Sequence, residues 1–187
     1  MIKNYWSLST IAVVGIIIIA LGWVAVTNDD WRTVTGPETQ GPAFSSTVPG
    51  QEIPVPTGYV NDNAGLIDEK TQAVLEDQLK QFADSGKGEL AVLTVKTMNG
   101  LTIEEYAIRV AEKWKVGGRD TDNGVILIIS TDERKVRIEV GRGAAITDAQ
   151  AGKILDDVMV PKLKRADWAG AIYDGVDAII NLVNKTN

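Results

Sequence analysis

The chain contains no cysteine and no histidine. Without cysteine there is no thiol nucleophile, no Cys-ligated zinc or iron–sulfur cluster, no disulfide and no lipidated-Cys anchor. Without histidine the usual general base at neutral pH and the commonest transition-metal ligand are gone, which excludes Ser-His-Asp hydrolysis and HExxH zinc chemistry. Positive charge is also short: 19 Lys and Arg stand against 25 Asp and Glu, a net charge of -6. Such a balance leaves no electrostatic footprint for nucleic acid and favours cations as any bound ions. The absence of disulfides does not restrict the compartment, because many exported proteins lack them. A length of 187 residues holds one domain and a short appendage. A domain of that size buries roughly two-thirds of its unfolded surface and needs no staple.

Charge is missing altogether from Leu8 to Val26, LSTIAVVGIIIIALGWVAV, where Ser9 and Thr10 are the most polar residues. A helix needs about 20 such residues to cross the hydrocarbon core of a bilayer. Trp6 precedes the run, and Trp23 and Trp31 bracket its far end, as interfacial aromatic rings do. Lys3 lies on the short side while Asp29 and Asp30 lie just beyond the run, a weak bias toward a cytoplasmic N-terminus. A buried core helix would need a polar face that Ile16 to Ile19 does not offer. A cleaved signal peptide is the rival, although the run exceeds a typical h-region of about 7–15 residues and no A-x-A site comes after it. On either reading the rest of the chain is exported, to the periplasm or the extracellular space. The expectation is a single-pass anchor over residues 1–27, in contact with the lipid bilayer.

Residues 28–58 carry five of the six prolines (Pro37, Pro42, Pro49, Pro54, Pro56) and almost no periodicity, which predicts a stiffened linker. The domain is expected over residues 59–187. Asp68 caps a helix with Leu75, Leu79 and Phe82 on one face, ended by Gly86-Lys87-Gly88. Glu89 to Lys96 reads as a strand. Thr102 and Glu105 make a capping box for a helix burying Ile103, Tyr106, Val110 and Trp114. Gly124 to Ser130 is apolar on both faces, as a covered central strand is. Lys135 to Val140 alternates Val136, Ile138 and Val140 with Arg137 and Glu139, as a strand nearer an edge does. The two should pair as an antiparallel hairpin. Thr147 and Gln150 cap a helix burying Ile154, Leu155, Val158 and Met159, with Pro161 expected to stop it. Asp167 opens the last helix, striped by Ile172, Val176, Ile179 and Val183. Helices interleaved with strands predict a three-layer α/β/α sandwich around a small mixed sheet.

Four stretches, in order and at matching spacing, resemble the TPM domain: Val60 to Leu66; Asp122-Asn123-Gly124-Val125; Arg134 through Gly141-Arg142-Gly143 with Thr147-Asp148-Ala149; and Pro161 with Asp167-Trp168 and Gly170. That family occurs in bacterial membrane-associated proteins and in a thylakoid-lumen protein linked to photosystem II repair. The resemblance spans Val60 to about Val183. It implies an accessory, assembly or maintenance role for a membrane protein or membrane complex, and similar members are reported to bind calcium or magnesium at the acidic loop. Two departures stand out. Arg142 lies between the two glycines, where the family often has an aromatic or other bulky residue. The second membrane segment and glycine-rich tail of many bacterial members have no counterpart before Asn187, so one anchor is expected rather than two.

The cluster that could carry chemistry is Gly117 to Gly124, an acidic loop feeding the central strand. Asp120, Asp122 and Asn123 could offer hard oxygens to Ca²⁺ or Mg²⁺, with Asp62 as a partner in space. Asp-x-Asp-Asn-Gly resembles the opening of an EF-hand, but Thr131 stands where the Glu would be. The other reading of Asp122-Asn123-Gly124 is a plain turn built on residues that tolerate left-handed backbone. Phosphatase activity claimed for some relatives gives an alternative function, a metal-dependent acid phosphatase. In it a carboxylate-bound metal would orient water and Arg119 or Arg134 would balance the ester's charge. No aspartyl-phosphatase motif or P-loop accompanies the loop, which weighs against an enzyme. Asp156-Asp157 reads as a solvated helix face, and Gly141-Arg142-Gly143 as a tight turn.

Overall fold

The computed structural model describes residues 32–33, 52–118 and 120–186. The expected anchor and most of the expected linker lie outside the described residues. Among the described residues no helix is long and apolar enough to cross a membrane.

Four strands form the body of a mixed sheet: β2 (Val60–Asp62), β3 (Glu89–Val95), β4 (Gly124–Ser130) and β5 (Lys135–Val140). A two-residue strand, β1 (Arg32–Thr33), adds to the outer edge of β5, giving the order β1-β5-β4-β3-β2. β2, β3 and β4 run parallel, and β5 returns antiparallel to β4. The helices are α1 (Glu69–Asp84), α2 (Ile103–Trp114), α3 (Asp148–Ile154), α4 (Val160–Leu163) and α5 (Trp168–Thr186).

β4 is apolar from Val125 to Ile129 because both of its faces are covered. Val125, Leu127 and Ile129 point into one core with Leu75, Leu79 and Phe82 of α1 and Ile172, Val176, Ile179 and Val183 of α5. Ile126 and Ile128 point into the other, with Ile103, Tyr106, Ala107 and Val110 of α2. The period of two along the strand therefore makes the expected three layers. The caps form as the sequence implies: Asp68 accepts from Thr71 N–H, and Thr102/Glu105 and Thr147/Gln150 both close as capping boxes.

Three details differ. Pro161 does not stop its helix. α3 widens into a π turn over Leu155–Met159, and the Val160 N–H reaches back to the Leu155 carbonyl. Pro161 then sits in the first turn of α4, where a missing N–H costs nothing, and the helix runs on to Leu163. Second, the polar side of β5 is not solvated: Arg137 is only 6% exposed. It and Glu139 stand opposite Ile128 and Ile126 of β4, on the side that α2 covers. Third, the folded unit begins ahead of Tyr59. Ile53 is buried in the α2-side core, Lys113 Nζ donates to the Ile53 carbonyl at 2.6 Å, and Trp114 Nε1 donates to the Pro54 carbonyl at 2.8 Å.

Candidate functional site

Helix α2 ends on Lys115 in the left-handed conformation (φ 54°), which throws the chain across the N-terminal end of β4. The loop beyond it is tied down largely by its own polar groups. Glu89 Oε2, at the start of β3, accepts from the Gly117 N–H at 2.7 Å. Asn123 Oδ1 accepts from the Gly118 N–H at 3.0 Å and from the Thr121 hydroxyl at 2.9 Å. The Gly118 carbonyl accepts from the N–H groups of Thr121 and Asp122 at 3.1 and 2.9 Å.

The turn after β5 packs against this loop backbone to backbone. Gly141 N–H donates to the Gly124 carbonyl at 2.8 Å, and Gly143 N–H to the Asp122 carbonyl at 2.9 Å. A Cβ on Gly141 would run into the Asp122 carbonyl oxygen, and one on Gly143 into that of Thr121. Gly124 is pressed against Val116 in the same way. Gly141 and Gly143 thus let the turn approach the loop backbone, while Gly117 and Gly124 let the loop close on itself.

Between the two segments lies an ion pair. Arg142 Nε approaches Asp122 Oδ2 at 3.1 Å, and the Arg142 backbone N–H donates to the same oxygen at 3.2 Å. The guanidinium holds the Asp122 carboxyl below the usual carboxylate range. The arginine side chain is 95% exposed and that of Asp122 is 50% exposed, so the pair faces water. It lines one wall of an open cleft of about 420 Å³, together with Lys115, Gly118, Ile126 and Glu139. Glu139 is held by Arg137 Nε at 2.6 Å.

The other residues named from the sequence fall differently. Asp120 is exposed, and Arg119 lies outside the described residues. Asp62 is not brought to the loop. It pairs in register with Thr94, and Thr94 with Ile129, whereas the loop joins the sheet at Gly124. Five residues of strand at about 3.3 Å each put the two roughly 16 Å apart along the sheet. The Asp62 carboxylate is consumed locally. It accepts from the N–H groups of Leu66 and Ile67, both at 3.0 Å, and from the Thr94 hydroxyl. Arg134 lies in the β4–β5 turn, also at that far end.

Ca²⁺ or Mg²⁺ needs several oxygens converging on one point. Here Asp122 Oδ2 turns to Arg142 and Asn123 Oδ1 is taken by Gly118 and Thr121. Among the described residues no three acidic side chains gather as a cation cage. As arranged, the donor set does not fit the divalent ion that the family resemblance implies.

A second polar cluster, at the far end of the sheet, is not evident from sequence. Glu133 accepts from the Thr97 hydroxyl at 2.7 Å, from the Met98 N–H at 3.0 Å and from the Ser130 hydroxyl. Its partners come from the β3–α2 connection and from β4, and a non-local pairing of that kind leaves no local signature. Glu89, Lys115 and Glu139 likewise carry no sequence signal that separates them from ordinary surface charges.

The fold recurs in solved structures. The N-terminal domain of a P. gingivalis protein matches with 28% identity and a TM-score of 0.64, over 69% of this chain and 83% of that one. The N-terminal domain of a Corynebacterium glutamicum protein matches at 17% identity and TM-score 0.54, over 73% and 86%. The BA42 protein of the psychrophilic bacterium Bizionia argentinensis matches at 15% and 0.55, over 64% and 83%. The latter two likenesses speak for the fold alone. No functionally curated protein matches the chain. The family model described as the TPM domain matches residues 60–182, and the chain belongs to the TPM domain family.

Proposed function

We propose that the protein is a membrane-tethered TPM domain that works outside the cytoplasm as an accessory or maintenance factor for a membrane protein complex. The observation that carries this reading is the self-satisfied state of the cleft. Asp122 is engaged by Arg142, the Thr121 hydroxyl by Asn123, and Glu139 by Arg137. None of them is a free nucleophile paired with a base, and the chain has neither histidine nor cysteine to supply one. A binding module needs a rigid, chemically varied surface, and a cleft flanked by Lys115, Asp122 and Arg142 supplies both signs of charge. The uncharged run Leu8 to Val26 supports the tether.

Two measurements test it together. An alkaline-phosphatase reporter fused after Asn187 should be active, as only an exported C-terminus allows, and the intact chain should stay with membranes through alkaline carbonate washing. Capture of the tagged chain from mildly solubilised membranes should bring down a membrane protein in stoichiometric amount, with that association weakened by R142E. Recovery of the bait alone would sink the accessory role. Turnover of p-nitrophenyl phosphate by the purified chain with Mg²⁺ or Ca²⁺, abolished by D120A with D122A, would establish the phosphatase in its place.

A further inference from the structure

The loop is held by hydrogen bonds and close backbone contacts of its own. Its backbone is pinned to the Gly141–Gly143 turn by two hydrogen bonds and by contacts that leave no room for a Cβ. Glu89 and Asn123 satisfy the N–H groups at Gly117 and Gly118. The one loop carboxylate aimed at this turn already has a positive partner, Arg142, which meets it through both Nε and the backbone N–H.

We propose that Arg142 is a built-in cation at Asp122, and that it takes the place of the divalent ion that the family resemblance implies for this loop. Two physical effects work together. A cation that uses Asp122 Oδ2 must displace the guanidinium, and one that uses Oδ1 must bind beside its fixed positive charge. One unit charge about 5 Å from a divalent ion in water weakens binding roughly tenfold. The exposed ion pair itself adds little to stability, as exposed pairs do. The effect of Arg142 on ion affinity is therefore separable from any effect on folding. This inference is independent of the partner proposed above, because it concerns ion affinity alone.

The test is calorimetric titration of the full chain in neutral detergent at low ionic strength, with CaCl₂ and then MgCl₂. Wild type should bind more weakly than about 1 mM, outside the range of dedicated sensor sites. R142Q should bind about tenfold more tightly, R142K should behave like wild type, and adding D122N to R142Q should erase the gain. The difference between wild type and R142Q should shrink between low salt and about 0.5 M NaCl, where exposed charges are screened. The thermal midpoint of R142Q in the absence of divalent ions should stay within about 2 °C of wild type. Micromolar binding by wild type overturns the proposal, and so does an R142Q affinity no tighter than that of wild type. If R142Q is unstable, R142K decides: an R142K chain that binds Ca²⁺ about tenfold more tightly than wild type would show that the positive charge is not what weakens binding, and would overturn the proposal.

Discussion

The carbonyl oxygen of Thr121 occupies the space that a Cβ on Gly143 would need, while the Gly143 N–H donates to the neighbouring Asp122 carbonyl at 2.9 Å. The acidic loop and the turn after β5 are therefore one rigid unit rather than two independent loops. Its obstructing atoms are backbone, which cannot rotate away.

Gly143→Ala should accordingly destabilise the domain by about 2 kcal/mol, the usual cost of forcing an extra carbon into a packed site. Gly65, at φ 71° with nothing near its missing side chain, is the control. Gly65→Ala should cost only the left-handed backbone penalty of about 1 kcal/mol. Chemical denaturation of both variants measures the difference. Equal losses would mean that the two segments give way more easily than their contacts imply.

Much of the framework is legible in the sequence because the signals are local. The largely apolar GVILIIS reads as a strand covered on both sides, and Thr102/Glu105 and Thr147/Gln150 mark helix starts by spacing alone. The features that escape a reading of the sequence depend on contacts distant along the chain. The alternation in KVRIEV looks half-solvated, yet α2 lies over Arg137. Pro161 looks like a terminator, and the π turn before it removes the hydrogen bond it would have broken. Asp62 looks like a free ligand until Thr94, on the adjacent strand, is seen to hold it. The glycines are visible as letters, while their mutual contact is not.

Asp62 itself yields the next expectation. Its carboxylate satisfies two backbone N–H groups and one hydroxyl. Asp62→Ala leaves these donors without an acceptor and should cost about 3 kcal/mol. Asp62→Asn, which keeps one accepting oxygen, should cost roughly half as much. Neither should alter a calcium titration. A variant that melted like wild type but lost an ion response would restore Asp62 as a ligand.

Stability should also depend on Glu133. Burial works to raise its pKa, but hydrogen bonds from the Ser130 and Thr97 hydroxyls and the Met98 N–H outweigh it and leave the carboxyl below its usual 4.5. A depressed folded-state pKa means that the ionised form is favoured by folding. The contribution is complete above about pH 4.5, and it is lost as the pH falls through the folded value. Glu133→Gln should therefore be less stable than wild type at pH 7. The gap in melting temperature should narrow as the pH drops below about 4.5. A gap that is constant from about pH 7 to pH 3 would show that the charge on Glu133 is irrelevant.

The Arg137–Glu139 pair separates the two meanings of a buried charge. Arg137 Nε and Glu139 Oε2 lie 2.6 Å apart, with the arginine side chain 7% exposed and the glutamate 21%. Removing Glu139 takes a charged acceptor from the nearly buried guanidinium of Arg137, so Glu139→Ala should cost about 2 kcal/mol. Replacing both by apolar residues of similar length, R137M with E139L, removes the desolvation penalty along with the mutual attraction and should cost less than the two single replacements added together. A double-mutant cycle by chemical denaturation gives the coupling directly. Strong destabilisation of the double variant would mean that the pair is needed to seat α2 on β5, and the cleft wall formed by Glu139 would then be expected to loosen with it. A neutral double variant would leave the wall intact and make the charges, rather than the packing, the feature that shapes the cleft's binding properties.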